Sequence, residues 1–520
     1  MIRVKRVATA GIVGGAELRP AGCRYLSAMS VVPAPTAPPA PDRGDLGELR
    51  ACAAVPLPRL RSIPDFVGMP NGDRPLADES IFVSAQAAAL GWFLVCVIAT
   101  LLISGGVAGV LTWPYTVALL VAFVWLPGYL SAFRFATLFL EDPPALTVVR
   151  PMTPVTVVVS GSTTPASTRS ALAYLAGQDY AGPFRVILVG GGLADEDVRA
   201  AQQAASELGL DLGVLRAGWL GSEEACNLAL PHVATSLVLA LQAGACLHPS
   251  ALRLLVARLE SSPRETAAVS GHAFVRNRQC GTRAEVLATD YAQQVDATRR
   301  IENLYQGAQV SEPACMLFQV QALRAVNGLP GGPASAVAAA WRFLERGWRV
   351  GYEPRAIAFT TEPVTLGTAG RSRARAERGL VESVRATGVD PQRPTSSRFV
   401  TAVARSGLAR DLAFVVAGLH AVALLVLGHG ALVIGYLVLV VPVSVAGATL
   451  ARRGQREVLD EAGLVPPRRR VDPISPLLGL QAVQAPAAIV EALRGWSMRT
   501  PRPPRRVTRR RLAGRGPRYA

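Results

Sequence analysis

The sequence predicts an α/β domain with a mostly parallel sheet, inserted between transmembrane helices. Three observations carry that expectation. Hydrophobic residues make up 50% of the 520 residues and mean hydropathy is +0.30, too apolar for an ordinary soluble chain of this length. No charged residue occurs from Ser80 to Phe133, a run far longer than the roughly 20 residues one span needs. Between residues 151 and 360, β-branched runs such as "VTVVVSG", "FRVILVGGG", "SLVLALQAG" and "AAVSGHAFV" alternate with helical stretches, the signature of strands joined by crossover helices.

Taken in order, residues 1–80 form a basic, Pro-rich N-terminal region containing the linker "PAPTAPPAPDRGDL", with Met29 as an alternative start. Residues 84–133 hold two transmembrane helices, "AQAAALGWFLVCVIATLLISGG" and "LTWPYTVALLVAFVWLPGYLSAF", broken at Gly105-Gly106. The α/β domain occupies residues 150–395, with helices at "STRSALAYLAGQ", "DEDVRAAQQAASELG" and "PSALRLLVARLESS". Two further spans over residues 411–450 are divided at His429-Gly430. Residues 473–493 are an interfacial or fifth membrane helix, and 494–520 an Arg-rich disordered tail.

Charge orients this layout. The formal charge is +17; Arg and Lys flank the spans on the N-terminal arm, the α/β domain and the tail, and the two hairpin turns carry none. The positive-inside rule then places the domain and both termini in the cytoplasm of a multi-pass membrane protein. The tail arginines Arg505, Arg506 and Arg509 to Arg511 suit anionic lipid headgroups rather than nucleic acid. The seven cysteines form no CxxC pair and the five histidines have no ligand spacing, so neither a zinc site nor a disulfide framework is expected.

The stretch "LVLALQAGACLHPS" raises the chemical question, because it reads as a strand that stops at a site. With "TPVTVVVSGSTTPAS", "YLAGQDYAGPFRVILVGGGLADED", "GWLGSEEACNLAL", "QALRAVNGLP", "RFLERGWRVGYEP", "SRARAERG" and "EALRGWSMRTPR", in that order, it resembles the membrane-bound family 2 glycosyltransferases, the cellulose- and hyaluronan-synthase-like group. The resemblance implies a GT-A (Rossmann-like) cytoplasmic domain. It implies a carboxylate pair holding Mg²⁺ or Mn²⁺ against a nucleotide-sugar diphosphate, and a third carboxylate as base.

Residue by residue, the acids are missing. The nucleoside-binding acid falls on Gly190 and Gly191, the metal pair on Gln242 and Gly244, and the base on Ser335-Ala336. Asn227, Gly379 and Arg375 match, with Arg373 beside Arg375, whereas Ser372 and Ala376 stand where Gln and Trp are usual. The resemblance thus implies a substrate-binding set of Gly190, Gly191, Asn227, Gln242, Gly244, Arg373 and Arg375, with no catalytic residue and no metal ligand. Three alternatives stay open. Glu312 is the candidate for a displaced base. Asp195, Glu196 and Asp197 read as the first turn of a helix, where acids favour the dipole. "VILVGGGLADEDVR" is a partial dinucleotide loop, although an acid at Asp195 would repel a pyrophosphate.

The expected function is that of a catalytically degenerate glycosyltransferase-like protein without a cofactor. It serves as scaffold or regulatory partner of an active glycosyltransferase or another envelope-assembly protein. The alternative is an active membrane transferase with atypical residues, which would use Mg²⁺ or Mn²⁺.

Overall fold

The computed structural model describes residues 79–141, 145–160, 165–191, 194–217, 222–242, 244–276, 297–306, 315–330, 335–360 and 393–464. The expected N-terminal region up to residue 78, the 473–493 helix, the tail, Arg373, Arg375, Gly379 and Glu312 lie outside the described residues.

Among the described residues, four helices are long and apolar enough to cross a membrane: Glu79–Ile103, Trp113–Leu140, Ala409–Val426 and Ala431–Glu461. They flank the α/β domain in pairs. The first is α1 (Glu79–Ile103); a six-residue helix, α2 (Gly105–Val110), forms the turn after it. The second is α3 (Trp113–Leu120) and α4 (Leu126–Leu140), joined by a wide π-helical turn at Val121–Trp125. Later in the chain α12 (Thr395–Arg405) leads into the third, α13 (Gly407–Val426). The fourth is α14 (Ala431–Gly435) and α15 (Val441–Glu461), joined by a second wide turn at Tyr436–Val440. Sequence reasoning ends this helix at Leu450, before Arg452 and Arg453. The structure continues it to Glu461, because good helix formers follow the arginines and no Gly or Pro stop occurs before Gly463 except Gly454.

The domain is built on an eight-stranded sheet of order β3-β2-β1-β4-β7-β6-β8-β5. β1 (Val155–Ser160), β2 (Phe184–Gly191), β3 (Leu212–Ala217) and β4 (Leu237–Leu241) are parallel. β7 (Cys315–Gln319) runs antiparallel to both β4 and β6 (Thr266–Val275), and β8 (Arg349–Thr360) runs parallel to β6. The two-residue β5 (Cys246–Leu247) closes the far edge against β8. The sheet is therefore mixed rather than mostly parallel in its second half.

Helices cover both faces, as buried parallel strands require. Leu172 and Leu175 of α5 (Pro165–Ala176), Ala201 and Ala204 of α6 (Asp195–Glu207), and Leu252 and Leu255 of α8 (Ala251–Glu260) pack with Val155, Val157 and Val159 on one face. Cys226 of α7 (Ser222–Ala229), Leu323 of α10 (Val320–Ala325) and Phe343 of α11 (Ser335–Glu345) pack with Val158 and Val238 on the other. Residues 297–305 form α9, whose Tyr305 is fully buried with Phe82 and Phe133 at the feet of the first two long helices. The end of α15 also enters the domain: Leu459, Ala462 and Leu464 belong to the first face's core.

Candidate functional site

The strand order fixes where a ligand can sit. The chain runs β1, β2, β3 outward to one side and then returns to place β4 on the other side of β1. In open α/β sheets the crevice lies outside the carboxyl ends of the strands at such a reversal. Ser160, Gly190, Gly191, Arg216 and Gln242 all arrive at that edge.

Each is held by identifiable local forces. Ser160 is buried at the end of β1 and donates its hydroxyl to the Leu241 carbonyl at 3.2 Å, tying β1 to β4 at the crevice floor. Gly190 and Gly191 close β2 and register with Arg216 and Ala217 of β3. Arg216 pairs with Asp195 at the start of α6 at 2.5 Å, with both side chains more than half exposed, so the pair adds little stability. Asp195, Glu196 and Asp197 do form the first turn of α6, and the Asp197 carboxylate accepts the Ala194 N–H at 3.1 Å. Sequence reasoning missed Ser160 and Arg216. Arg216 is concealed in "LGVLRA", a strand too short and too polar at its end to show a clear period.

Beyond β4 the chain turns. The Gln242 carbonyl accepts the Ala245 N–H at 3.0 Å, and Gly244 at the third position has φ +76, the left-handed conformation that this kind of turn reserves for glycine. A Cβ on Gly244 would meet nothing within 4 Å. The Gln242 side is exposed. This turn therefore offers one neutral amide where a divalent cation would need carboxylates. Among the described residues no group of three or more His, Cys, Asp or Glu could hold a metal ion. Gln242 and Gly244 themselves supply no carboxylate for Mg²⁺ or Mn²⁺.

Asn227 lies on α7, and both ends of its amide are committed. Nδ2 donates to the Leu329 carbonyl and Oδ1 accepts the Leu329 N–H, each at 2.7 Å. The clamp fixes a turn with Asn327 at φ 59 and Gly328 at φ 82, where a Cβ on Gly328 would collide with Asn227 Oδ1. Ser335 opens α11, so the position of the missing base lies at a helix start a few residues beyond the clamped turn.

The "GQDY" stretch braces the turn that leads from β5 into α8. Gln178 Nε2 donates to the His248 carbonyl at 2.9 Å, its Oε1 accepts the Leu252 N–H at 3.1 Å, and Asp179 pairs with Arg253 at 3.2 Å. His248 itself is fully buried; its Nδ1 accepts the Ser250 N–H at 3.3 Å. Burial pushes the imidazole down to about 4 from its ordinary 6.5. The folded state thus favours neutral His248, so its contribution is present above pH 6.5 and is lost as pH falls toward 4. Stability is expected to drop by up to about 3 kcal/mol across that window. His248→Asn should flatten this slope in thermal unfolding scans between pH 7.5 and 4.5; an unchanged slope would assign the acid sensitivity elsewhere.

A shallow recess lies at the opposite end of β8 from Thr360, lined by Arg299, Glu302, Asn303, Gln306 and Tyr352 among others. Its polar groups serve the sheet: Asn303 Oδ1 and Gln306 Oε1 accept the Tyr352 and Val350 N–H groups.

These features define an α/β domain whose strand-end crevice carries the Arg216–Asp195 pair at its rim and a neutral amide at Gln242. Residues 151–379 match the family described as glycosyltransferase like family 2, and this segment is a family 2 glycosyltransferase-like domain of GT-A fold. Among solved structures, the chain is similar to the mannosyltransferase PcManGT from Pyrobaculum calidifontis in complex with GDP-Man and Mn²⁺. The TM-score is 0.52 at 19% identity, covering 72% of this chain and 97% of that one. Weaker likenesses are to S. aureus TarS (TM-score 0.31, 13% identity, 46% and 40% covered) and to glucosyl-3-phosphoglycerate synthase from Mycobacterium tuberculosis in complex with phosphoglyceric acid (TM-score 0.33, 14% identity, 46% and 82% covered). No curated protein matches the chain.

Proposed function

We propose that this is a multi-pass membrane protein whose glycosyltransferase-like domain has lost metal-dependent transfer. It acts as a scaffold or regulatory partner of an active transferase in envelope polysaccharide assembly. The observation that carries this reading is the turn from Gln242 to Ala245, whose backbone is built around Gly244 at φ +76 and whose only side-chain donor at the two acid positions is a neutral amide. At the crevice, Gly190 and Gly191 end β2 without side chains that would obstruct a nucleoside or sugar. Arginines on the domain side of the long helices, including Arg134, Arg452 and Arg453, support a cytoplasmic domain, and the Arg-rich tail supports contact with anionic lipid.

Calorimetric titration of the purified full-length protein with UDP- and GDP-sugars, with Mn²⁺ and with EDTA, tests the reading. Any nucleotide-sugar affinity is expected to be the same in both conditions, with no transfer or donor hydrolysis. Mn²⁺-dependent turnover abolished by Glu312→Ala would establish instead an active enzyme with a displaced base.

A further inference from the structure

The second and fourth long helices share a construction that the domain's site does not use. Each widens for one turn, at Val121–Trp125 and at Tyr436–Val440. In each, the next N–H reaches back five residues, Leu126 to the Val121 carbonyl and Val441 to the Tyr436 carbonyl. Each wide turn ends two residues before a proline, Pro127 and Pro442. Proline donates no hydrogen bond, so the carbonyls one turn earlier, of Phe123 and Val438, lack their helical partner. The backbone is thus weakest at the same place in both helices.

The two turns touch. Phe123 stacks on Tyr436 with ring centroids 4.8 Å apart, and Phe414 of α13 stacks on Phe123 at 5.1 Å. Both turns are also latched to α1 through indoles. Trp92 Nε1 donates to the Leu439 carbonyl inside one turn at 3.2 Å, and Trp125 Nε1 of the other donates to Thr100 Oγ1 at 2.8 Å.

Below the turns the helices are bound to each other and to the domain. Ser131 and Ser444 hydroxyls meet at 2.8 Å, and α15 runs past the Phe135 backbone at Gly447. Glu141, just past α4, pairs with Arg300 of α9 at 2.8 Å, while Leu459 and Ala462 enter the domain core. Above the turns no such tie to the domain exists among the described residues.

We propose that the paired wide turns form a single hinge. On it α4, α15, the α/β domain and the foot of α1, which is packed on Tyr305, tilt as one body against α3 and α14, and the indoles of Trp92 and Trp125 latch it. This rests on the membrane-spanning reading above. Coupled motion requires that loosening one turn loosens the other, because they share the Phe123–Tyr436 contact.

The test is hydrogen–deuterium exchange of the full-length protein in lipid nanodiscs. Trp92→Phe removes the indole donor and keeps an aromatic ring. It is expected to raise exchange roughly threefold or more, the scale of one lost hydrogen bond, in both 121–126 and 436–441. Leu94→Ala, on an exposed face of α1, should change neither. Pro127→Ala with Pro442→Ala should slow exchange in both turns by restoring donors. A Trp92→Phe effect confined to 436–441, absent, or spread evenly over all four helices overturns the hinge, as does a proline pair variant that exchanges no more slowly. Release of the wild-type protein from membranes by alkaline carbonate would instead overturn the membrane-spanning reading.

Discussion

Glu353→Ala is expected to destabilise the protein by about 3–5 kcal/mol, the usual consequence of leaving buried charge without its partner. The carboxylate is fully buried in β8, and Arg258 of α8 reaches it through Nη2 at 2.7 Å and Nε at 2.8 Å. Arg355 adds Nε at 2.9 Å and its own backbone N–H at 3.3 Å, closing the irregularity where the β6–β8 register shifts between Gly271 and His272. Burial alone would push this carboxyl up. The two guanidiniums outweigh it and hold the group below the usual carboxylate range. Its folded-state value is therefore depressed, so the stabilisation is present above the ordinary carboxylate range and is lost as pH falls through and below it. Thermal unfolding of the detergent-solubilised protein should show a large drop for Glu353→Ala. Arg216→Ala, which breaks an exposed pair, should cost under about 1 kcal/mol. Equal losses for the two variants would remove the distinction between buried and surface charge on which this expectation rests.

The same triad explains part of what the sequence conceals. β1, β2, β4 and β6 announce themselves as β-branched or small apolar runs. β8 does not, because "RVGYEPRAIAFT" carries Glu353, Pro354 and Arg355 in its middle, and only the tertiary partner Arg258 makes that polar centre compatible with a strand. β3 and β7 are short and their burial is set by neighbours distant in sequence. The four long helices are legible because lipid-length apolar runs need no tertiary information. The wide turns are marked in the sequence only by Pro127 and Pro442, and a proline alone does not distinguish a wide turn from a plain kink. At the site, the place of each missing acid could be read by order along the chain. The Asn227–Leu329 clamp could not, since it joins residues 102 apart. Nor could the conformation of Gly244, because a glycine in a sequence does not reveal the sign of its φ.

That conformation governs the most informative repair of the site. Gln242→Asp with Gly244→Asp is expected to create a weak Mn²⁺ site, measurable by calorimetry or by the Mn²⁺ paramagnetic resonance signal, where the wild type shows none. Gln242 is exposed just beyond β4, so its replacement should be nearly neutral for stability. Gly244→Asp meets no atom within 4 Å but must hold φ +76, which costs a non-glycine residue about 1–2 kcal/mol. Aspartate and asparagine tolerate this region better than most, so Gly244→Asn should be milder than Gly244→Val in an unfolding scan. Two carboxylates on a strained turn supply charge but not the further oxygens and rigid geometry of a tight site. Turnover should stay absent, because the base position falls on Ala336, and general-base catalysis contributes typically 10²–10⁴-fold. Adding Ala336→Asp to the pair is then the step expected to yield detectable Mn²⁺-dependent donor hydrolysis. If the wild type binds Mn²⁺ as tightly as the double variant, cation ligands outside the Gln242–Ala245 turn must exist. The neutral turn would then no longer argue for lost transfer.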